Sequence, residues 1–142
     1  MYFDDLKTGM AVDIPPAVIE KQKMLDFAHN YDNIPLHTDE EYAKTTPFGG
    51  LIAPGVMSFM SVWANYQRND FFGDGLLVGK STRIEWLKPV FIDDVLTGEV
   101  TITRLTPRSE RNGLVEFTVD IYNQHGDLVI TNVTEAVVTC KP

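Results

Sequence analysis

The sequence predicts an α+β fold in which an antiparallel sheet wraps around one long buried helix, and three observations predict it. From Gly55 to about Gln67, the apolar residues Val56, Met57, Phe59, Met60, Val62, Trp63 and Ala64 spread around most of a helical circumference. A helix apolar on nearly all sides has to be buried. Downstream, Leu96, Gly98, Val100 and Ile102 alternate with Thr97, Glu99, Thr101 and Thr103, and Val115, Phe117, Val119 and Ile121 alternate with Glu116, Thr118, Asp120 and Tyr122. That period of two marks half-buried strands, and a buried helix followed by such a sheet is expected to lie within its curve.

Taken in chain order, residues 19 to 31 place Met24, Phe27, Ala28 and Tyr31 on one helical face, which predicts a short amphipathic helix. Residues 30 to 50 are polar and carry Pro35, Pro47, Gly49 and Gly50, so a long ordered loop is expected. Thr38 and Glu41 have capping-box spacing for one helical turn running to Lys44, which would set His37 immediately before a helix start. Pro54 and the preceding glycines begin the buried helix, and Asn69 to Gly75 end it. Residues 76 to 140 are expected to form four antiparallel strands in a meander, with Asn112-Gly113 as one tight turn and His125-Gly126-Asp127 as another. Pro89 and Asp93-Asp94 separate the first two of these strands.

A chain of 142 residues and 16.0 kDa is long enough for one core, so residues 1–142 are expected to form a single domain. With 44% hydrophobic and 23% charged residues, the composition is that of a folded globular protein. No apolar run approaches the roughly 18 residues a membrane span needs, and Met1 to Leu6 has no leader pattern, so neither membrane insertion nor export is expected. The single cysteine, Cys140, has no partner for a disulfide or thiolate cluster and fits a cytoplasmic setting, its plain role being a small residue ending a strand. A net charge of −8 excludes nucleic acid as an expected partner. One sheet of about five strands leaves the helix or a sheet edge poorly covered, so an oligomer is expected.

The three histidines are unequal. His125 falls in a turn and is expected to be solvated, and His29 lies beside the apolar face of the first helix as a partly buried structural residue. His37 stands five residues after Asp32, in a loop held by Pro35. A carboxylate and an imidazole fixed in one loop can share a water, one accepting its proton while the other orients it. Gly55 falls at the first turn of the buried helix, where unpaired N–H groups and the positive end of the dipole favour a developing oxyanion. Glycine there also permits close approach of a ligand, and the plainer role of such glycines is a tight turn and close packing.

The order Asp32-Asn33-Ile34-Pro35-Leu36-His37-Thr38-Asp39, Glu41-Tyr42-Ala43, Phe48-Gly49-Gly50, Ile52-Ala53-Pro54-Gly55 and then Arg83-Ile84-Glu85-Trp86-Leu87-Lys88-Pro89-Val90 with Asp93-Asp94 resembles the MaoC-like dehydratase family. The similarity extends over nearly the whole chain. It implies a hot-dog fold and a hydro-lyase, an (R)-specific enoyl-CoA hydratase that interconverts trans-2-enoyl-CoA and (R)-3-hydroxyacyl-CoA. By this resemblance Asp32 and His37 activate water and the Gly55 backbone forms the oxyanion hole. Asn33, Pro35, Gly50, Ile52, Ala53, Pro54 and Ser58 are then the substrate-binding residues. No metal and no separate cofactor are implied, coenzyme A being part of the substrate. The working unit is expected to be a homodimer, a dimer of dimers or a trimer of dimers.

One departure stands out, because Ile34 occupies a position where asparagine is usual in the family. An amide there would hold the loop or its water. Candidate cations for coenzyme A phosphates are Lys80, Arg83 and Lys88, or Arg104, Arg108 and Arg111. Trp63, Tyr66, Phe71, Phe72 and Trp86 are candidates for an acyl tunnel, although aromatics so placed more often fill a core. The alternatives are a hot-dog acyl-CoA thioesterase, a non-catalytic acyl-CoA-binding protein, and a metal site built from His29, Asp32, His37 and Asp39.

Overall fold

The computed structural model describes residues 1–142. A short turn at Phe3–Asp5 precedes strand β1 (Ala11–Val18), helix α1 (Lys21–Tyr31), two single-turn helices α2 (Pro35–Thr38) and α3 (Glu40–Lys44), and the long helix α4 (Gly55–Asn69). Strands β2 (Leu76–Trp86), β3 (Val95–Pro107), β4 (Asn112–Tyr122) and β5 (Leu128–Thr139) follow. All five strands join one antiparallel sheet in the order β1-β3-β4-β5-β2.

The sheet curls around α4 in the hot-dog arrangement, and contacts from one edge to the other show it. The Asn65 amide of α4 donates to the carbonyls of Pro15 and Pro16 in β1, at 3.1 and 3.0 Å. Gly98 of β3 lies directly beneath the helix, where a Cβ would come within 2.9 Å of both Val62 and Ile14. Trp63 stacks on Phe117 of β4 with ring centroids 6.1 Å apart, and Trp86 at the end of β2 lies on Gly55. The inward residues expected from the alternation, Leu96, Val100 and Ile102 on β3 and Val115, Phe117, Val119 and Ile121 on β4, are all buried in one core. No helix is long and apolar enough to cross a membrane.

Burial of α4 differs from expectation. Met57, Ser58, Phe59, Val62 and Tyr66 are buried, whereas Val56 and Met60 on the other side remain 47% and 45% exposed. Within one chain the sheet covers one face of this helix only. The strand order also departs from a simple meander, since β3, β4 and β5 follow one another but β2 pairs with β5 at the far edge. Residues 87 to 94 are no hairpin: they carry Pro89, bridge to Ile52 through Phe91, and accept the Ala53 N–H at the Val90 carbonyl, just before the start of α4.

Smaller corrections have local causes. Met24 and Ala28 of α1 are buried as expected, but Tyr31 ends the helix and is 78% exposed. The cap of α3 is Asp39, whose carboxylate accepts the Tyr42 N–H at 3.1 Å, while Thr38 closes α2 and donates its hydroxyl to the Ile34 carbonyl. His37 therefore lies inside a helical turn and not before one. Asn112 and Gly113 begin β4, and the turn is made by residues 108 to 111. Gly113 is small because the Phe3 ring fills the space its Cβ would need, at 2.2 Å. The turn at His125-Gly126-Asp127 is present, with Gly126 at φ +79° and the Asn123 side chain accepting both neighbouring N–H groups.

The two sheet edges are unlike. β1 carries Pro15 and Pro16 at a break in its register with β3. Proline lacks an N–H and blunts a strand edge. β2 has eleven residues without proline, pairs only with β5, and leaves Leu76, Leu77 and Val78 exposed.

Candidate active site

Two short segments bring Asp32 and His37 together. Asp32 is the C-cap of α1, its N–H donating to the Ala28 carbonyl at 2.9 Å. Pro35 occupies the first position of α2, where its fixed φ suits a helix start and its missing N–H costs nothing, and His37 follows within the same turn. The His37 N–H closes the turn on the Ile34 carbonyl at 3.0 Å. Asp32 Oδ2 and His37 Nε2 are then 3.3 Å apart, the carboxylate 44% exposed and the imidazole 8%.

The other imidazole nitrogen settles the tautomer. His37 Nδ1 is 2.8 Å from the Ile52 carbonyl, which can only accept, so Nδ1 carries a proton and donates it there. Nε2 is left as the nitrogen that exchanges protons with the cavity. Ile52 also donates its own N–H to the Leu36 carbonyl at 3.4 Å and bridges to Phe91, while Ala53 donates to Val90 at 2.7 Å. The strap at Ile52 and Ala53 thus ties the histidine turn to the crossover between β2 and β3.

A cavity of about 460 Å³ opens over this pair, and Asp32, His37, Gly55 and Ser58 all line it. Gly55 is the first residue of the 15-residue helix α4, and its N–H has no acceptor within the chain. Pro54 is the cap before it, and its carbonyl accepts both the N–H and the hydroxyl of the buried Ser58, at 3.0 and 3.1 Å. The close approach at Gly55 is made by the side chain of Trp86, whose indole lies where a Cβ would be. A carboxylate, a tautomerically fixed imidazole and a helix-terminal glycine whose N–H has no acceptor in the chain therefore line one largely apolar space. Such a set can exchange protons with a bound water while holding negative charge on a neighbouring carbonyl oxygen.

Of the residues expected to bind substrate, Ile52, Ala53 and Ser58 line the cavity; Gly50 and Pro54 do not, and Asn33 and Pro35 are exposed to solvent outside it. Val56, Leu87 and Val90 line it without having been singled out, although the stretch ending at Val90 was part of the resemblance. Trp86 is the one tunnel candidate in the wall. Trp63, Tyr66 and Phe72 instead pack around Phe117 in the core, with Phe71 against Phe72, and burial pushes the Tyr66 phenol far above its usual range. His29 is exposed and hydrogen-bonds to nothing, contrary to the structural role expected of it, and no three His, Cys, Asp or Glu side chains converge as metal ligands. The basic candidates are not gathered into a patch: Arg83 pairs with Glu85 and Arg104 with Glu116, and only Lys88 reaches the cavity.

A family model described as a MaoC-like domain matches residues 5–123. The chain is 30% identical over 109 residues, 77% of its length and 74% of the relative's, to the (R)-specific enoyl-CoA hydratase of Rhodospirillum rubrum. It is 26% identical over 125 residues, 87% of its length and 89% of the relative's, to the uncharacterized protein YdeM of Bacillus subtilis. Among solved structures, the MaoC-like dehydratase from Rhodospirillum rubrum matches with a TM-score of 0.86 at 29% identity, across 100% of this chain and 99% of that one.

Proposed function

The chain belongs to the MaoC-like dehydratase family, and from that premise we propose that it adds water reversibly to a trans-2-enoyl thioester of coenzyme A, giving the (R)-3-hydroxy thioester. One observation carries the reading: His37 Nε2 lies 3.3 Å from the Asp32 carboxylate while Nδ1 is held by the Ile52 carbonyl, in the wall of a cavity that Gly55 also lines.

In the hydration direction a water in the cavity contacts both the Asp32 carboxylate and His37 Nε2. The pair removes one proton from it, its oxygen bonds to C3, and the electrons of the double bond move toward the thioester carbonyl. The oxygen of that carbonyl gains negative charge beside the Gly55 N–H and the positive end of α4. The proton held by the pair returns to C2, so one water is consumed and nothing else is required. No cofactor takes part, and coenzyme A enters as part of the substrate. A single cysteine, Cys140, left without a disulfide partner suits a cytoplasmic setting. The working unit is at least a homodimer, which is supported by the open edge of β2 and the uncovered side of α4.

The test is a panel of trans-2-enoyl-CoA esters followed by loss of enoyl-thioester absorbance, with free thiol recorded in parallel. Absorbance loss without thiol is the expected result. Thiol release would make the protein a thioesterase, and silence in both channels would leave an acyl-CoA-binding protein.

A further inference from the structure

We infer that Lys88 is the residue through which this site holds a phosphate on the carrier portion of its thioester, exchanging its present partner Asp127 for the substrate's oxyanion. The inference rests on the thioester reading above and names the binding determinant that reading needs on an acidic chain.

Lys88 is the only cation among the cavity-lining residues. Its side chain is 55% exposed, which puts the ammonium at the mouth of the cavity and not at its floor. The backbone beneath it is fixed, since the Leu87 and Lys88 N–H groups both donate to the Val129 carbonyl, at 2.8 and 3.4 Å, and Pro89 follows. Only the flexible stem is free to swing. Its counter-ion, Asp127, is 3.6 Å away and itself 44% exposed, a long contact in high dielectric that is easily given up. The Asp127 backbone is pinned by the Asn123 side chain, so the carboxylate stays in place as the lysine moves.

The whole-molecule charge sharpens the argument. At −8 the chain repels a polyanion such as coenzyme A at long range, and a cation at the cavity mouth offsets that repulsion where the ligand enters. Arg83 and Arg104 are engaged with Glu85 and Glu116, at 3.8 and 2.8 Å, and neither lines the cavity.

Calorimetric titration of the full chain with coenzyme A and with pantetheine, which lacks the phosphates, tests this. Lys88→Gln should weaken coenzyme A binding about tenfold, the order of one exposed charge-assisted hydrogen bond, and leave pantetheine unchanged. Lys88→Arg should retain binding, and Asp127→Asn, which frees the lysine, should tighten it. In steady state, Lys88→Gln should raise KM for an enoyl-CoA with kcat unaltered, and do neither for the same acyl group on N-acetylcysteamine. Equal losses on both carriers, or none on either, would overturn the proposal. So would a loss confined to thioesters with a second carboxylate on the acyl part, which would put the anion at the other end. Lys88-dependent coenzyme A binding without any hydration would support this inference and remove the hydratase reading, whereas hydration indifferent to Lys88→Gln would do the reverse.

Discussion

Ile34 stands at the N-cap of α2, three residues before His37, and its side chain makes no capping hydrogen bond. Where an asparagine occupies this place, its amide oxygen can accept an N–H of the very turn that carries the histidine. Ile34 faces outward and lines no part of the cavity, so the departure touches the loop and not the water. Ile34→Asn is expected to stabilise the protein by about 1 kcal/mol, raising Tm by roughly 3 °C in a thermal melt. For the catalytic pair, Asp32→Asn and His37→Gln should each lower hydratase turnover by on the order of 10²-fold or more with the circular dichroism spectrum unchanged. Near-normal turnover in either variant would remove its assigned role. At Gly55 an added methyl would meet the Trp86 indole, which is half exposed and can swing away. Gly55→Ala should therefore shift tryptophan fluorescence and cost activity on the order of 10²-fold, as a misplacement near 1 Å does, with little change in Tm. Asp32, His37 and Gly55 could be singled out from residue type, spacing and the family resemblance taken together, and the fold brings all three to one cavity. The Ile52 carbonyl that fixes the tautomer could not be, since any residue supplies the same backbone oxygen and only the fold brings it to the ring.

At the scale of elements, the inward faces of β3 and β4 could be predicted because a period of two is local to each strand. Strand order could not, because the path of residues 87 to 94 decides whether β2 neighbours β3 or β5, and nothing in β2 itself records that path. The aromatics of α4 show the same limit. Trp63 and Tyr66 have the composition of a tunnel wall, yet both lie within 6.1 Å, ring to ring, of Phe117 on β4 and join helix to sheet. Phe117 is the common partner of Trp63, Tyr66 and Phe72. Phe117→Ala should destabilise the protein by about 3–5 kcal/mol in denaturant titration, through lost burial and the hole left beneath α4. Because this cluster is separate from the cavity, the folded fraction of that variant should retain its KM.

For the whole molecule, an oligomer was expected because a helix apolar all round cannot be covered by one sheet, and the half-exposed Val56 and Met60 keep that argument alive. The structure adds a second, stronger reason in the unpaired edge of β2, with Leu76, Leu77 and Val78 in solvent. Sedimentation at micromolar concentration should give about twice the 16.0 kDa chain mass or a higher multiple. Leu77→Lys should move the population toward monomer by placing a charge on that edge. A wild-type mass of one chain would contradict the assembly. The paired prolines of β1 bear on how far such assembly can run. A sheet with two open edges can recruit copies at both sides without end, which is the geometry of a fibre. With Pro15 and Pro16 closing one side, symmetric pairing along β2 would use up the remaining edge, so growth by edge-to-edge addition terminates at two copies. The same two residues that break a strand's register would thereby keep a sticky sheet from polymerising.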